Sequence, residues 1–500
     1  MPDEMLPRFQ HQDIAVNLLW KHGCYALLME MGTGKSRPII EDWIARVEYG
    51  NAQDLVVLAP KGAYMNWIGT EDEPGEVEKW ISPEIRSRLC IVPWVSGGNA
   101  QQRSNLRTAL HYPGPRFLCM NIEALNLKGP ARDYILQFVS GRKVIGCIDE
   151  STTIAHENAA RTTFILSTLA NKFMARRILT GLVAPESPMD LFTQYYFLDW
   201  RIIGLPDFWD FKRRYAKMIQ IDFRPTAQRD EDARTKTKSR KKAWIIESYR
   251  NLEELTEKIQ KASYRVTKAE VLDLPPKIYQ FWDVELTDEQ QRIYTEMRNL
   301  AMARLANGEF TTANMKLDQL GKMHHILCGH VRKESLELAD IPENRTQAVV
   351  DILTNHSGKA IVWAPFPQAL RKITRRLRKE FGDDSTVGFW GETSLDERLE
   401  ARSRIQSDNE CRFIVSNQSV GKFGNTWTAC NLVIYFANSF DNEDRQQSED
   451  RPHRIGQTQS VTYIDIRARG TLDEKLIKTL RRKMTISSAL QGDEFKEWLV

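Results

Sequence analysis

The chain has 500 residues, 42% of them hydrophobic, enough to bury cores for two or three domains of about 100 to 200 residues each, which excludes a disordered chain. Lys and Arg number 70 against 66 Asp and Glu, and a net charge of +4 over this length does not announce a nucleic-acid partner by itself. Seven scattered cysteines without a CxxC pair argue against a structural zinc site and fit free thiols in a reducing compartment.

Met1 to Pro7 carries no basic segment followed by an apolar one, and no window holds the ~18 apolar residues of a membrane span. A soluble, cytoplasmic protein with no membrane partner is expected. The apolar run Cys24 to Met29 is followed by Met31-Gly-Thr-Gly-Lys-Ser36 and a helical pattern from Arg37 to Val47. That context lets backbone N–H groups and a helix N-terminus cradle phosphates. Gly32, Thr33 and Gly34 are therefore candidates for the cradle, Lys35 for contact with the β and γ phosphates, and Ser36 for ligating Mg²⁺. Met29 stands where the strict phosphate-loop pattern has its first glycine.

Further short apolar runs alternate with helical patterns: Leu55 to Pro60, Phe117 to Asn121, Val144 to Asp149 and Arg177 to Gly181, then Ala360 to Pro365, Phe413 to Asn417 and Leu432 to Phe436. The alternation predicts parallel sheets covered by helices. The run Val144 to Asp149 ends in two adjacent acids. Asp149 is a candidate to hold Mg²⁺, and Glu150 to orient or deprotonate the attacking water.

Between the two groups, the stretch from about Asp199 to about Gly358 is richer in charge, aromatics and helix formers than in strands, and reads as helical insertions plus a linker. Within it Arg234 to Lys242 is a basic segment, either a solvated loop or a phosphate-contacting one. A second basic segment, Arg371 to Lys379, has Leu370, Ile373, Leu377 and Phe381 at helical spacing, which predicts a core stripe beneath a solvated basic face. Near the end, Gln447, Arg451 and Arg454 stand at i, i+4 and i+7. Arginines there can supply positive charge where a triphosphate develops negative charge. Their distance along the chain from Lys35 predicts two lobes around one ATP. Pro452 disfavours helix at Arg451, so only Gln447 and Arg451 share a face firmly. Thr471-Leu-Asp-Glu474 predicts a capped helix with Leu472, Leu476, Ile477 and Leu480 on one side.

At these residues the chain resembles superfamily-two helicases and, within them, the switch/sucrose-nonfermenting translocases of double-stranded DNA. Leu6-Pro-Arg-Phe-Gln10 is similar to the family's LRPYQ, which implies Gln10 as adenine reader. Met29 to Ser36 resembles its DEMGxGK[TS] loop. Leu55 to Pro60 with Trp67 resembles the motif that tracks one DNA strand. Tyr264-Arg-Val-Thr-Lys268 with Leu274-Pro-Pro-Lys277 resembles the RRxK and LPxK linker that couples lobe movement to ATP. Gln447 to Gln457 is similar to QAxDRxHRIGQ, and Gly470 to Lys475 to GTxxEK.

Three departures stand out. Asp149-Glu-Ser-Thr152 replaces DEAH and keeps both acids. Leu182 and Val183 replace the Thr and Pro of LTGTP, removing a hydroxyl that links nucleotide and DNA sites. Val420-Gly-Lys-Phe-Gly424 replaces a glycine-rich tracking motif, with Gly421 and Gly424 available for close backbone approach and Lys422 for an added phosphate contact.

The resemblance implies an α/β fold of two RecA-like parallel-sheet lobes with helical insertions between them. Residues 1–198 form lobe one, 199–262 its helical insertion with the basic loop, 263–278 the inter-lobe linker, 279–345 the helical insertion of lobe two, and 346–500 lobe two with its C-terminal helix. The implied function is an ATP- and Mg²⁺-dependent motor that translocates on double-stranded DNA, branched or forked forms included, and remodels DNA or protein–DNA intermediates. Lys35, Glu150, Gln447, Arg451 and Arg454 are the catalytic set, and Ser36 and Asp149 hold the metal. A monomer of phage or bacterial type is expected, with a separately encoded nuclease as a candidate partner. Three alternatives stay open: a nucleotide-switched DNA-binding module with weak ATPase, a strand-separating helicase of the same superfamily, and a ring-forming P-loop NTPase with arginines supplied between subunits.

Overall fold

In the computed structural model of the chain, residues 7–69, 74–181, 184, 187–222, 242–307, 313–332, 338–421 and 426–481 are described. The chain divides into two compact units, Met1–Ala216 with Tyr249–Asp273 and Lys217–Ser248 with Leu274–Val500.

In the first unit the apolar runs become β1 (Cys24–Met29), β2 (Asp54–Ala59), β3 (Cys90–Trp94), β4 (Arg116–Asn121), β5 (Val144–Asp149) and β6 (Ala175–Leu179). A separate two-stranded sheet, of β7 (Ala216–Asp222) and β8 (Lys242–Tyr249), falls in the second unit apart from Ala216 and Tyr249, and β9 (Ser263–Val266) then rejoins the main sheet of the first. The seven-stranded order is β3-β4-β2-β5-β6-β1-β9, and every pairing in it is parallel. A parallel sheet is covered on both faces, so β2 and β5 are buried along their whole length and read as unbroken apolar runs. Helices α1 (Gln10–Lys21) and α2 (Ser36–Glu48) flank β1.

The second unit holds β10 (Lys277–Asp283), β11 (His330–Arg332), β12 (Leu338–Asp340), β13 (Lys359–Trp363), β14 (Thr386–Phe389), β15 (Phe413–Ser416), β16 (Cys430–Tyr435) and β17 (Val461–Arg467). Its main sheet runs β10-β17-β16-β13-β15-β14, again all parallel. Helices Asp288–Ala306 and Ala313–Leu327 lie between β10 and β13 in the chain. These are the two RecA-like lobes and helical insertions that the sequence predicts. Among the described residues, no helix is long and apolar enough to cross a membrane.

The stretch expected to be helices and linker also contains β7 to β12, which corrects that reading. The physical reason is clearest in β10, an edge strand whose residues after Lys277 are all exposed. An edge strand carries no continuous apolar run, so its aromatics and charges conceal it from a search for buried strands. Helix Pro367–Phe381 buries Leu370, Ile373 and Leu377 as expected. Three of its basic residues are paired, Arg371 with Glu392, Lys372 with Glu343 and Arg376 with Glu380. Helix Leu472–Arg481 buries Leu472, Leu476, Ile477 and Leu480.

Each main sheet has buried ion groups of its own. Asp54, at the start of β2, accepts from Arg116 Nη2 at 2.7 Å and from Arg142 Nη2 at 2.7 Å. Asp42 on α2 pairs with Arg46 at 2.8 Å and Arg177 at 3.0 Å. In the second unit Asp465 pairs with Arg445 and, at 3.1 Å, with Arg481.

Candidate nucleotide site

Parallel strands deliver their carboxyl ends to one edge of the sheet, so Met29, Asp149 and Leu179 end near one another. After Met29 the chain turns sharply into α2, with Gly32 at φ +82° and Gly34 at φ +78°. Thr33 is fully buried, its N–H and hydroxyl both donating to the Glu30 carbonyl at 3.3 and 2.7 Å. Ser36 is the first residue of α2. Gly181 closes against this loop, since a side chain there would press on Met31 N at 3.2 Å.

Helix α1 supports the loop from the other side. His11 Nε2 donates to the Thr33 carbonyl at 2.8 Å and Gln12 Nε2 to the Gly34 carbonyl at 3.1 Å. Sequence reasoning missed both residues; Gln10, the implied adenine reader, is exposed at the first position of α1. The signal was present in kind, because polar residues at the start of an amphipathic helix that point inward need partners.

Lys35 Nζ meets Glu150 Oε1 at 2.6 Å and lies 4.0 Å from Asp149 Oδ1. Asp149 Oδ1 accepts from the Glu150 N–H at 3.0 Å, and Oδ2 accepts from Trp67 Nε1 at 3.0 Å. Burial pushes the Asp149 carboxyl above its ordinary range, and the Lys35 ammonium opposes that rise. Glu150 sits in the left-handed region at φ +48°, a conformation costing ~1–3 kcal/mol that persists where surroundings enforce it. Next to it, Ser151 Oγ donates to Gln194 Oε1 at 2.6 Å, and Gln194 Nε2 to the Asp190 carbonyl at 2.8 Å. The donor set fits a magnesium nucleotide: a carboxylate and a hydroxyl supply hard oxygens for Mg²⁺, and positive-φ glycines with a lysine supply the phosphate cradle.

The linker-like segment divides between the units. In the first, β9 pairs with β1 as far as Met29 opposite Val266. Arg265 Nη1 donates to the carbonyls of Gly181 at 3.0 Å and Leu28 at 3.2 Å, while the Lys268 N–H donates to Glu30 Oε2 at 2.9 Å. The rims of the phosphate loop are thereby joined to residues 265–268.

In the second unit, helix Asn442–Glu449 is capped by Asp441 and ends before Arg451, as Pro452 requires. Gln447 is buried and donates to Glu443 Oε1 at 2.6 Å. Arg451 is buried, with Nε donating to the Gln447 carbonyl at 3.1 Å; Arg454 is half-buried. The loop that carries the arginines is braced by its neighbours. Gln457 Nε2 donates to the carbonyls of Thr428, Cys430 and Pro452 at 3.0, 3.0 and 3.1 Å. His453 Nε2 donates to the Pro275 carbonyl at 2.7 Å, and Lys277 pairs with Asp450 at 3.2 Å and Glu449 at 3.4 Å. The Pro-Pro-Lys segment after Leu274 is thus bonded directly to the arginine loop.

Leu182 and Val183, the basic residues 234–241 and Lys422 to Asn425, Gly424 among them, lie outside the described residues. Gly421 is buried with Trp363 packed against it, so its small size serves the core rather than an approach to a ligand.

A glycine-rich turn facing a lysine and two acids at the strand ends of a parallel sheet defines the P-loop ATPases. The family description "SNF2-related domain" matches residues 11–332, and "Helicase conserved C-terminal domain" matches residues 344–456. The chain belongs to the SNF2 family of helicase-like ATPases. It is similar to the DNA annealing helicase and endonuclease ZRANB3 of Mus musculus, 26% identical over 99% of this chain and 42% of that protein. It is also similar to an uncharacterized ATP-dependent helicase of Mycoplasma genitalium, 23% identical over 91% of this chain and 39% of that protein. The chain therefore spans about two-fifths of the length of these relatives. Among solved structures, the SWI2/SNF2 ATPase core of Sulfolobus solfataricus in complex with dsDNA aligns over 99% of this chain and 96% of that one, with a TM-score of 0.40 at 19% identity.

Proposed function

We propose that the chain is an ATP-driven motor that translocates on double-stranded DNA and remodels DNA or protein–DNA intermediates. The observation that carries this reading is the meeting of Lys35 with Asp149 and Glu150 beneath a glycine turn, in a chain of the SNF2 family. Gln10 reads the adenine, and Gly32 and Gly34 present backbone N–H groups to the phosphates, joined by the Thr33 N–H once it leaves the Glu30 carbonyl. Arriving phosphates draw Lys35 from Glu150, freeing that carboxylate to orient water and accept its proton. Asp149 and Ser36 would hold Mg²⁺, which when bound would neutralise phosphate charge. Arg451 and Arg454 supply the positive charge that stabilises the transferring phosphoryl group, and Gln447 a neutral amide beside them. Nucleotide-dependent affinity for DNA then gives direction to the movement.

The name of the mouse relative, a DNA annealing helicase and endonuclease, supports DNA as the partner. A monomer working in a reducing cytoplasm of phage or bacterial type, with a separately encoded nuclease, completes the reading. The test is a hydrolysis titration with single-stranded, duplex, forked and RNA ligands, followed by displacement of a triplex strand. Duplex DNA is expected to stimulate most, with steep salt dependence. Duplex that gives no stimulation above a Lys35→Ala control refutes the motor and leaves a nucleotide-switched binding module, which the loss of the threonine at Leu182 favours. Displacement of a forked strand without triplex displacement indicates a strand-separating helicase.

A further inference from the structure

Trp67 is 1% exposed, in the one-turn helix Tyr64–Trp67 that follows β2. Its ring stacks on Phe117 at a centroid distance of 6.4 Å, and Cys119 Sγ donates to the Tyr64 carbonyl at 3.1 Å. The turn is thus fastened to β4, while Lys61 and Gly62 at its start are exposed. Packing alone would be served by any large ring. The indole nitrogen, however, donates to Asp149 Oδ2 at 3.0 Å. The other oxygen, Oδ1, accepts the Glu150 N–H at 3.0 Å and lies 4.0 Å from Lys35 Nζ. One carboxylate oxygen is therefore tied to the turn and the other is turned toward the phosphate loop. A hydrogen bond in a buried site is stronger than the same bond in water, so a displacement of this turn reaches Asp149 in a single step.

We propose that Trp67 is a positioning residue that carries engagement of the exposed turn after β2 by a nucleic-acid backbone to Asp149. The inference rests on the DNA-motor reading above. It supplies a link between nucleic acid and nucleotide in a chain that has Leu182 where the family has the threonine.

Two substitutions separate the donor from the ring. Trp67→Phe keeps an aromatic ring against Phe117 and loses the N–H. Trp67→His loses the benzene half, and its Nε2 overlays the indole Nε1 when the five-membered rings coincide. Two quantities are read: the ratio of hydrolysis rates with and without saturating duplex, and the Mg²⁺ concentration that half-restores affinity for a fluorescent ADP analogue, which needs no turnover. In Trp67→Phe the stimulation ratio is expected to fall roughly tenfold and the Mg²⁺ requirement to rise several-fold, as loss of a bond to a charged group implies. Trp67→His is expected to stay within about threefold of the unsubstituted protein in both. Unchanged values in Trp67→Phe overturn the proposal, and so does a Trp67→His that falls as far as Trp67→Phe. Absence of duplex stimulation in the unsubstituted protein defeats the DNA-motor reading and this inference with it, whereas stimulation that survives Trp67→Phe defeats the inference alone. Should a variant fail to fold, the indole N–H resonance of Trp67 in the unsubstituted protein serves instead: it is expected to shift on adding duplex, and a fixed resonance overturns the proposal.

Discussion

Gly34→Ala tests the phosphate loop most directly. The backbone there has φ +78°, and an L-residue in the left-handed region costs about 1–2 kcal/mol. A Cβ at this position also meets the Gln12 amide. That amide ends a flexible side chain and can swing aside, but it then loses its bond to the Gly34 carbonyl, worth about 0.5–1.5 kcal/mol. Together the two effects destabilise the ordered loop by about 1.5–3.5 kcal/mol. Nucleotide affinity should then weaken roughly 10- to 300-fold, since each 1.4 kcal/mol is a factor of ten. The assay is a titration with a ribose-labelled ADP analogue at 25 °C. Gly141→Ala is the control, because its φ of +69° is comparable and no atom lies within 4 Å of the added carbon; affinity there should stay within about twofold. A double-mutant cycle with Gln12→Ala should be non-additive, because the two residues share one contact. Gly34→Ala binding within about threefold of the unsubstituted protein, or strictly additive effects, would refute the reasoning.

Three further outcomes are expected. Lys277→Met removes the cation between Glu449 and Asp450; because both acids retain some solvent, the second unit should lose about 1–2 kcal/mol in urea unfolding rather than the full penalty of a buried pair, and Lys277→Arg should restore most of it. Burial alone would lower the Lys277 ammonium, but Asp450 and Glu449 outweigh it and hold it raised, so this stability is present below the ordinary lysine range and should be the same at pH 6 and 9. His324 is buried between Phe366 and Phe440, and burial, aided by the charge of Arg345 and by His325, depresses its imidazole to about 3. The unfolded chain binds a proton that the folded chain refuses, so stability should fall by about 2 kcal/mol between pH 7 and 5, and the difference between the unsubstituted protein and His324→Leu at the two pH values should isolate this share from those of His330 and His356. Asp54→Asn leaves Arg116 and Arg142 without their shared carboxylate; the first unit should lose about 3–5 kcal/mol and melt roughly 10 °C lower by calorimetry.

The central strands of both sheets were legible because a parallel strand buried on two faces leaves an unbroken apolar run, as in Val144 to Asp149. The phosphate loop was legible because its chemistry is local: glycine, lysine and serine lie within a few residues of one another. What could not be read there depends on chain segments that meet only after folding. Trp67 finds Asp149, and His11 and Gln12 find Thr33 and Gly34, through tertiary packing to which no periodicity points. Likewise β9 is only four residues long, and β10 mixes exposed aromatics with charge because it borders solvent, so neither meets the pattern of a core strand. The brace from Pro275 and Lys277 to the arginine loop was implied as a family linker, but its atoms became visible only once β10 was laid beside β17.

The place of β9 has a consequence for how the protein is made. The strand that delivers the phosphate loop has one flank against β6 and the other against β9, and the latter leaves the ribosome long after the rest of its sheet. Until residues 263–266 emerge, the nascent chain leaves the margin of β1 from Ala26 to Met29 open to any extended segment that passes. Parallel pairing over such a separation is slow to find, and an open margin invites intermolecular association. Fragments that stop at Ala216 should therefore aggregate, while fragments that reach Asp273 should stay in solution. Synthesis thus delays a finished phosphate loop until residues 263–268, which bond its rims, have been translated.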